Sequence, residues 1–214
     1  MRFWAFMVLG LLLPAGAAFA DRLLEAEPKT YALTGVRELS LDFPVGDLQV
    51  EGDDGTSVRV SMRVRCKSGS LEACQERARQ VTIDRRQADS TLTLKIEGGP
   101  DKLNIHGVSL EARFLVPRSL ATRIKMGVGA LTIRDSGGDL DLDLGVGDIH
   151  VYAAARDYRA IRGDVGVGDA TIHAKTGRIE GQGFIGHSAS WEEGTGPSEA
   201  SAHVGVGSVN VVLD

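Results

Sequence analysis

Three aspartates, Asp139, Asp141 and Asp143, alternate along one short stretch of this chain. On a β-strand, alternation places them on one face. Carboxylates arranged this way on a regular β scaffold suggest polysaccharide cleavage, in which one acid protonates the leaving oxygen and a second carboxylate acts as base or nucleophile. The same charges also make a solubilising face that protects an exposed sheet from aggregation. A sugar cleft would want aromatic platforms, and only Tyr152, Tyr158 and Trp191 lie near in sequence. The charged face is the reading adopted, and no catalytic residue is assigned.

A second set, Asp47, Asp148 and Asp169, each follows a glycine. Gly-Asp turns bind calcium in some β-rolls, but those rolls repeat every nine residues or so, and this chain does not. Ala130, His187 and Ser208 replace the aspartate in other copies. Turn chemistry, in which Asp side chains bond nearby backbone N–H groups, accounts for the pattern without an ion. The histidines are His106, His150, His173, His187 and His203. His150 and His173 share the outward parity of their strands and could meet across adjacent coils to bind a metal, although solvated positions of this kind are more often plain surface. No nucleophile–His–Asp order, phosphate loop or Cys-His cluster stands out. Neither a metal nor a cofactor is assigned.

The two cysteines, Cys66 and Cys74, are too few for a metal site and too far apart for a CxxC redox motif. In an oxidising compartment they are expected to form a structural disulfide, tying the end of a strand to the first turns of a helix. The stretch 187–197 departs from the regular pattern around it. His187 and Trp191 there are candidates for a binding loop with an aromatic anchor. The competing reading is a tryptophan that closes a weakly packed coil.

The elements that must position these residues begin after a leader. Met1-Arg2 is followed by an apolar run over 3–13, and Ala18-Phe19-Ala20 matches a signal-peptidase site. The run is shorter than the roughly 20 residues a bilayer crossing needs. Residues 1–20 are therefore expected to be a signal peptide cleaved after Ala20, with no lipid-modified cysteine at the junction. The expected location is periplasmic or secreted, with no transmembrane segment once the leader is removed. The formal charge of −5 offers no electrostatic reason to bind nucleic acid. With 27 glycines and 5% aromatics, many short turns are expected.

Alternation predicts strands over 39–52 and 57–66, with Val58, Val60, Met62 and Val64 on one face and Arg59, Arg63 and Arg65 on the other. A short helix over about 70–80, with Ser70 as N-cap, precedes further strands at 81–85, 91–96 and 109–116. From residue 120 the chain repeats itself. Gly129, Gly147, Gly168 and Gly207 each close a Gly-Val-Gly, Gly186 fills a degenerate copy, and Gly46 marks a related turn upstream. Residues two and four after each glycine are mostly apolar, and so are residues one and three before it. On this reading Val128, Val146, Val167, Ile185 and Val206 face inward, and the inward parity flips at a glycine corner. Val167→Asp would then unfold the stack.

The expected fold is mainly β: a β-solenoid of 18–21-residue coils over 120–214, continuous with a strand-rich part over 21–119 that carries the helix. An antiparallel β-sandwich is the alternative. Val45-Gly46-Asp47, the strand ending at Cys66, the helix, Val116-Pro117-Arg118-Ser119-Leu120 and the serial Gly-x-Gly-Asp strands together resemble the bacterial envelope family of putative adhesins, or domains of unknown function, with β-helix-like repeats. That family commonly has Gly-Ser-Gly-Asp where this chain has Gly-Val-Gly-Asp. The resemblance implies a non-enzymatic binding or structural role toward an envelope or surface partner. Two other roles are weighed: a self-associating scaffold, because the strand over 209–213 has no obvious cap, and a carbohydrate-active β-helix enzyme.

Overall fold

The computed structural model describes residues 22–66, 71–98, 108–181 and 186–214. The expected leader, Ser70, His106 and Ile185 lie outside these residues. The strands are β1 (Arg22–Glu25), β2 (Lys29–Ala32), β3 (Glu38–Asp53), β4 (Ser57–Cys66), β5 (Thr82–Ala88), β6 (Thr91–Glu97), β7 (Val108–Pro117), β8 (Ala121–Arg134), β9 (Leu140–Ala153), β10 (Tyr158–Ala174), β11 (Gly177–Glu180), β12 (His187–Trp191) and β13 (Ser198–Leu213). Helix α1 (Leu71–Gln80) follows β4, and a single 3-10 turn (Ala155–Asp157) precedes β10. The strands form one mixed, open sheet.

Its centre is five long parallel strands in the order β3, β8, β9, β13, β10. Each is bent at one glycine, and these glycines stack in register: Gly46 on Gly129, Gly129 on Gly147, Gly147 on Gly207, Gly207 on Gly168. Their φ angles lie between +133° and +141°, a region that L side chains rarely adopt. The neighbouring backbone also leaves no room. A Cβ on Gly147 would sit 1.9 Å from the carbonyl oxygen of Gly129, and one on Gly168 would sit 1.8 Å from that of Gly207.

The bend divides the sheet into two arms. In the first arm β6 and β12 flank the central strands, with β5 beyond β6. In the second, β7, β4, β1 and β2 extend one side and β11 the other. Both arms bury alternate residues into one core. From the first arm come Leu39, Leu41, Phe43, Ile124, Leu142, Leu144, Val165 and Val204; from the second, Leu48, Val50, Leu131, Ile133, Ile149, Val151, Ile172 and Val211. The arms face each other closely: a Cβ on Gly163 of the first arm would lie 2.9 Å from Cγ1 of Val209 in the second. The result is sandwich-like, with two layers sharing their strands through the corners.

The chain does not stack as consecutive coils. β13 lies between β9 and β10. After β9 the chain leaves one slot open, forms β10, adds β11 and β12 as antiparallel partners of β10, and then returns to fill the slot. This is why the corner-to-corner step doubles between Gly168 and Gly207. The doubled step suggested a hidden copy at Gly186, and that reading is corrected. Gly186 has φ +78° rather than the corner value, no atom of the described residues lies within 4 Å of where its Cβ would be, and it leads into an antiparallel strand. In that strand Ala189 and Trp191 are buried and Ser188 and Ser190 exposed, the opposite of the facing inferred from the repeat.

The inward facing of the corner valines is also corrected. Val128, Val146, Val206 and Val167 are 45%, 47%, 49% and 52% exposed. The parity does change across each corner, but between the residue three before the glycine and the residue two after it. The valine sits on the outside of the bend, because the inside is filled by the neighbouring strand's carbonyl. The self-association argument loses its basis as well, since β13 is paired on both sides and offers no free edge.

β4 shows the expected alternation, with Val58, Val60, Met62 and Val64 buried. At its end Cys66 bonds Cys74 of α1 across a sequence separation of 8, and both residues are buried. Closing a loop of this size constrains the unfolded chain by about 2.5 kcal/mol. Replacing both cysteines with alanine is expected to cost that much in urea unfolding, and an unchanged midpoint would show that the helix is held by packing alone.

Tyr158 opens β10, and its side chain is fully buried. Its hydroxyl donates to the carbonyl pair of Ser136 at 3.0 Å and Gly138 at 3.2 Å, locking the β8–β9 connection onto β10. Burial pushes its pKa up to about 12. A folded value above the unfolded value of about 10 means that the native state holds the proton more tightly, so this contribution is intact below pH 10 and lost as pH rises from about 10 to 12. Tyr158→Phe is expected to cost about 1–2 kcal/mol at pH 7 and to flatten the fall in stability over that alkaline window. Unfolding at stepped pH measures both effects.

Candidate binding surfaces

The outward side chains of the first arm form rows across the strands. One row runs Lys95, Asp42, Lys125, Asp143, His203, Asp164 on β6, β3, β8, β9, β13 and β10, alternating basic and acidic. In the next row the Arg123 guanidinium bonds Asp141 at 2.9 Å and Glu38 at 3.3 Å. Arg162 bonds Asp164 at 2.7 Å and Arg159 bonds Glu199 at 2.7 Å. The hydrogen bond from Arg162 holds the Asp164 carboxyl below the usual carboxylate range, with smaller help from Ser188 and His203. Hydrogen bonds to Asp141 and Asp164 raise Arg123 and Arg162. These groups are exposed, so each pair contributes little to stability. Glu38, Arg123, Asp141, Arg162 and Glu199 of these pairs line a groove of about 540 Å³, together with Ala121, Ala160, Ser201 and Glu192.

A second groove, of about 470 Å³, lies on the outer face of the second arm between Asp47, Gln49, Arg63, Glu111 and Arg113. Of its lining groups, Arg63 of β4 bonds Glu25 at 3.1 Å, Glu111 is bonded by Arg65 at 2.6 Å, and Arg113 pairs with Glu51. Further along this face Arg134 stacks 4.2 Å from the ring centroid of Tyr152.

The residues singled out from the sequence are distributed as follows. Asp139, Asp141 and Asp143 share the outer face of the first arm, but Asp141 is bonded to Arg123 and Asp139 accepts the backbone N–H of Glu199 at 2.9 Å. A glycosidase pair needs one carboxyl free to give up a proton to substrate. Asp47, Asp148 and Asp169 fall on alternate strands, with Ala130 and Ser208 between them. Two strand spacings separate their backbones by about 9.6 Å, whereas carboxylates sharing one calcium bring oxygens within about 5 Å of each other. The Ser208 hydroxyl donates to Asp148 at 2.5 Å. His150 and His173 do not meet: the insertion of β13 sets Asn210 beside His150 and Val212 beside His173. Among the described residues no group of three or more His, Cys, Asp or Glu is placed to hold a metal ion.

Trp191 is buried, 5% exposed, and closes the core beside Ile161, so it is no surface anchor. His187 lies at the start of β12 with Nδ1 3.8 Å from a carboxylate oxygen of Asp169. Sequence reasoning missed the row through Asp42, Asp143 and Asp164. Its signal was present, since Asp-x-x-Val-Gly-Asp occurs three times, at 42–47, 143–148 and 164–169.

The chain matches no protein-family profile and no curated protein. The fold has a solved counterpart. A "putative cell adhesion protein" of Clostridium sporogenes superposes with a TM-score of 0.56 at 16% identity, covering 91% of this chain and all of that one. A "putative adhesin" of Parabacteroides merdae reaches a TM-score of 0.33 at 11% identity over 89% of this chain and 81% of its own. The first places this chain in the same mainly β architecture, and at such identity the likeness concerns the fold alone.

Proposed function

We propose that this chain is an exported, non-catalytic envelope protein of the adhesin type, which holds an envelope or surface partner on the outer face of its bent sheet. The observation that carries this reading is the groove on the first arm. Arg123 on its border pairs across strands with Asp141 and Glu38, and Glu199 pairs across strands with Arg159, an arrangement that suits charge-complementary recognition. The name of the Clostridium neighbour agrees with this role, and the Cys66–Cys74 bridge fits an oxidising compartment.

Two measurements test the proposal. Protein recovered from the periplasm or medium should begin at Asp21, and unprocessed cytoplasmic protein would end the export reading. Purified protein should co-sediment with isolated envelopes of the native cell in a salt-sensitive way. The double variant Arg123→Glu, Arg162→Glu should weaken that association at least tenfold without changing the melting temperature. Release of reducing ends from envelope polysaccharide, lost in Asp141→Asn, would overturn the non-catalytic assignment.

A further inference from the structure

The outside of the corner carries a feature that the grooves do not use. Val45, Val128, Val146, Val206 and Val167 stand in register on five adjacent strands. Four of them are about half exposed, and Val45 is partly buried at the β7 end. They form one apolar ridge, bordered on the first-arm side by Pro44 and by Gly127, Gly145, Gly205 and Gly166, the four glycines presenting no side chain. The position before the corner glycine is Val on all five strands, while the position after it runs Asp, Ala, Asp, Ser, Asp. That second row, Asp47, Ala130, Asp148, Ser208, Asp169, flanks the ridge on the second-arm side with three carboxylates, of which Asp169 also lies 3.8 Å from Nδ1 of His187.

We propose that this ridge docks an amphipathic helix of a partner protein, with a row of basic residues along one side of its apolar seam. Spacing selects the helix. Valines on adjacent parallel strands recur about every 4.8 Å. Same-face residues of a helix recur about every 5.3 Å, whereas those of an extended strand recur about every 6.7 Å. Over the four intervals of the ridge the helix drifts out of step by about 2 Å and the strand by about 8 Å. Charge selects the basic side. The carboxylates of Asp47, Asp148 and Asp169 recur about every 9.6 Å, close to the roughly 10.5 Å between residues seven apart on a helix. A helix of about 13 residues spans the ridge. The inference rests on the corner geometry alone and does not depend on the first-arm groove.

The test uses a synthetic helical peptide with a leucine seam and lysines along one side, a matched peptide with glutamates in place of the lysines, and fluorescence anisotropy. The lysine peptide should bind, and the glutamate peptide at least tenfold more weakly. The triple variant Val128→Thr, Val146→Thr, Val206→Thr keeps β-branching at exposed positions and so should keep the melting temperature, yet bind the lysine peptide at least tenfold more weakly. Asp47→Asn, Asp148→Asn, Asp169→Asn should do the same. Any of four outcomes overturns the proposal: no binding of the lysine peptide, equal affinity for both peptides, retained affinity in either triple variant, or, in place of peptide binding, a ridge-dependent dimer or association with phosphatidylcholine vesicles. Loss of envelope binding in the Arg123 and Arg162 double variant leaves this result untouched, so the two proposals fail separately.

Discussion

Gly147→Ala is expected to abolish cooperative folding. Two separate costs fall on that one methyl group. The backbone sits at φ +134°, where a side chain costs about 1–3 kcal/mol. The added Cβ also meets the Gly129 carbonyl oxygen at 1.9 Å, and the oxygen belongs to a neighbouring strand that cannot retreat without leaving its own register. Parting β8 from β9 loosens the middle of the sheet, so the total is expected to be on the order of 5 kcal/mol or more, comparable to the whole stability of an ordinary domain. Two further variants separate the costs. Gly177 has φ +142° with no atom of the described residues within 4 Å of its would-be Cβ, so Gly177→Ala should show the strain alone, about 1–3 kcal/mol. Gly145 is not at positive φ, but its Cβ would lie 2.7 Å from the Gly127 carbonyl oxygen, so Gly145→Ala should show the contact alone. Urea unfolding of the three ranks them. Equal losses for Gly147→Ala and Gly177→Ala would mean that carbonyl packing at the corner carries no weight.

The stack of glycines explains how much of this molecule could be read from its sequence. The long strands, the helix, the bridge between Cys66 and Cys74 and the five stacked corner positions follow from local rules: alternation, helical spacing, redox chemistry and the need for glycine at positive φ. The order of strands does not. β9, β10 and β13 carry nearly interchangeable patterns around Gly-Val-Gly, so each could pair with either of the others, and only the folded core decides that β13 lies in the middle. Gly186 was read as a corner for the same reason, because a period counts residues along the chain without saying which strand sits beside which. The binding surfaces were partly legible. Asp141 was visible as part of a charged face, but its partner Arg123 is on another strand. For Trp191 the sequence leaves an exposed anchor and a side chain closing a coil equally open, and burial beside Ile161 selects the second. The valine ridge was hidden by a sound rule applied at the wrong place. Apolar residues usually face the core, but at a corner the outward position is set by the bend.

That difference gives the sharpest test of the facing. Val165 and Val167 lie two residues apart on β10, and a straight strand would point both the same way. In the bent strand Val165 is 2% exposed, level with Val204 of β13, and Val167 is 52% exposed at the end of the ridge. Val165→Asp buries a carboxylate in the apolar layer beside Val204, with only the imidazole of His187 opposite it, a change expected to cost more than about 4 kcal/mol and to remove the folded state at neutral pH. Val167→Asp places the same group in water. It loses some strand preference and sits near Asp169, so a cost of about 1 kcal/mol or less is expected. Circular dichroism and thermal melting of the two variants decide the matter. Unfolding by both would restore the inward reading of the corner valines and remove the ridge, while tolerance of both would mean that β10 does not contribute its first arm to the core. Only the predicted split, with one variant lost and its neighbour folded, requires a strand that turns its face at the glycine.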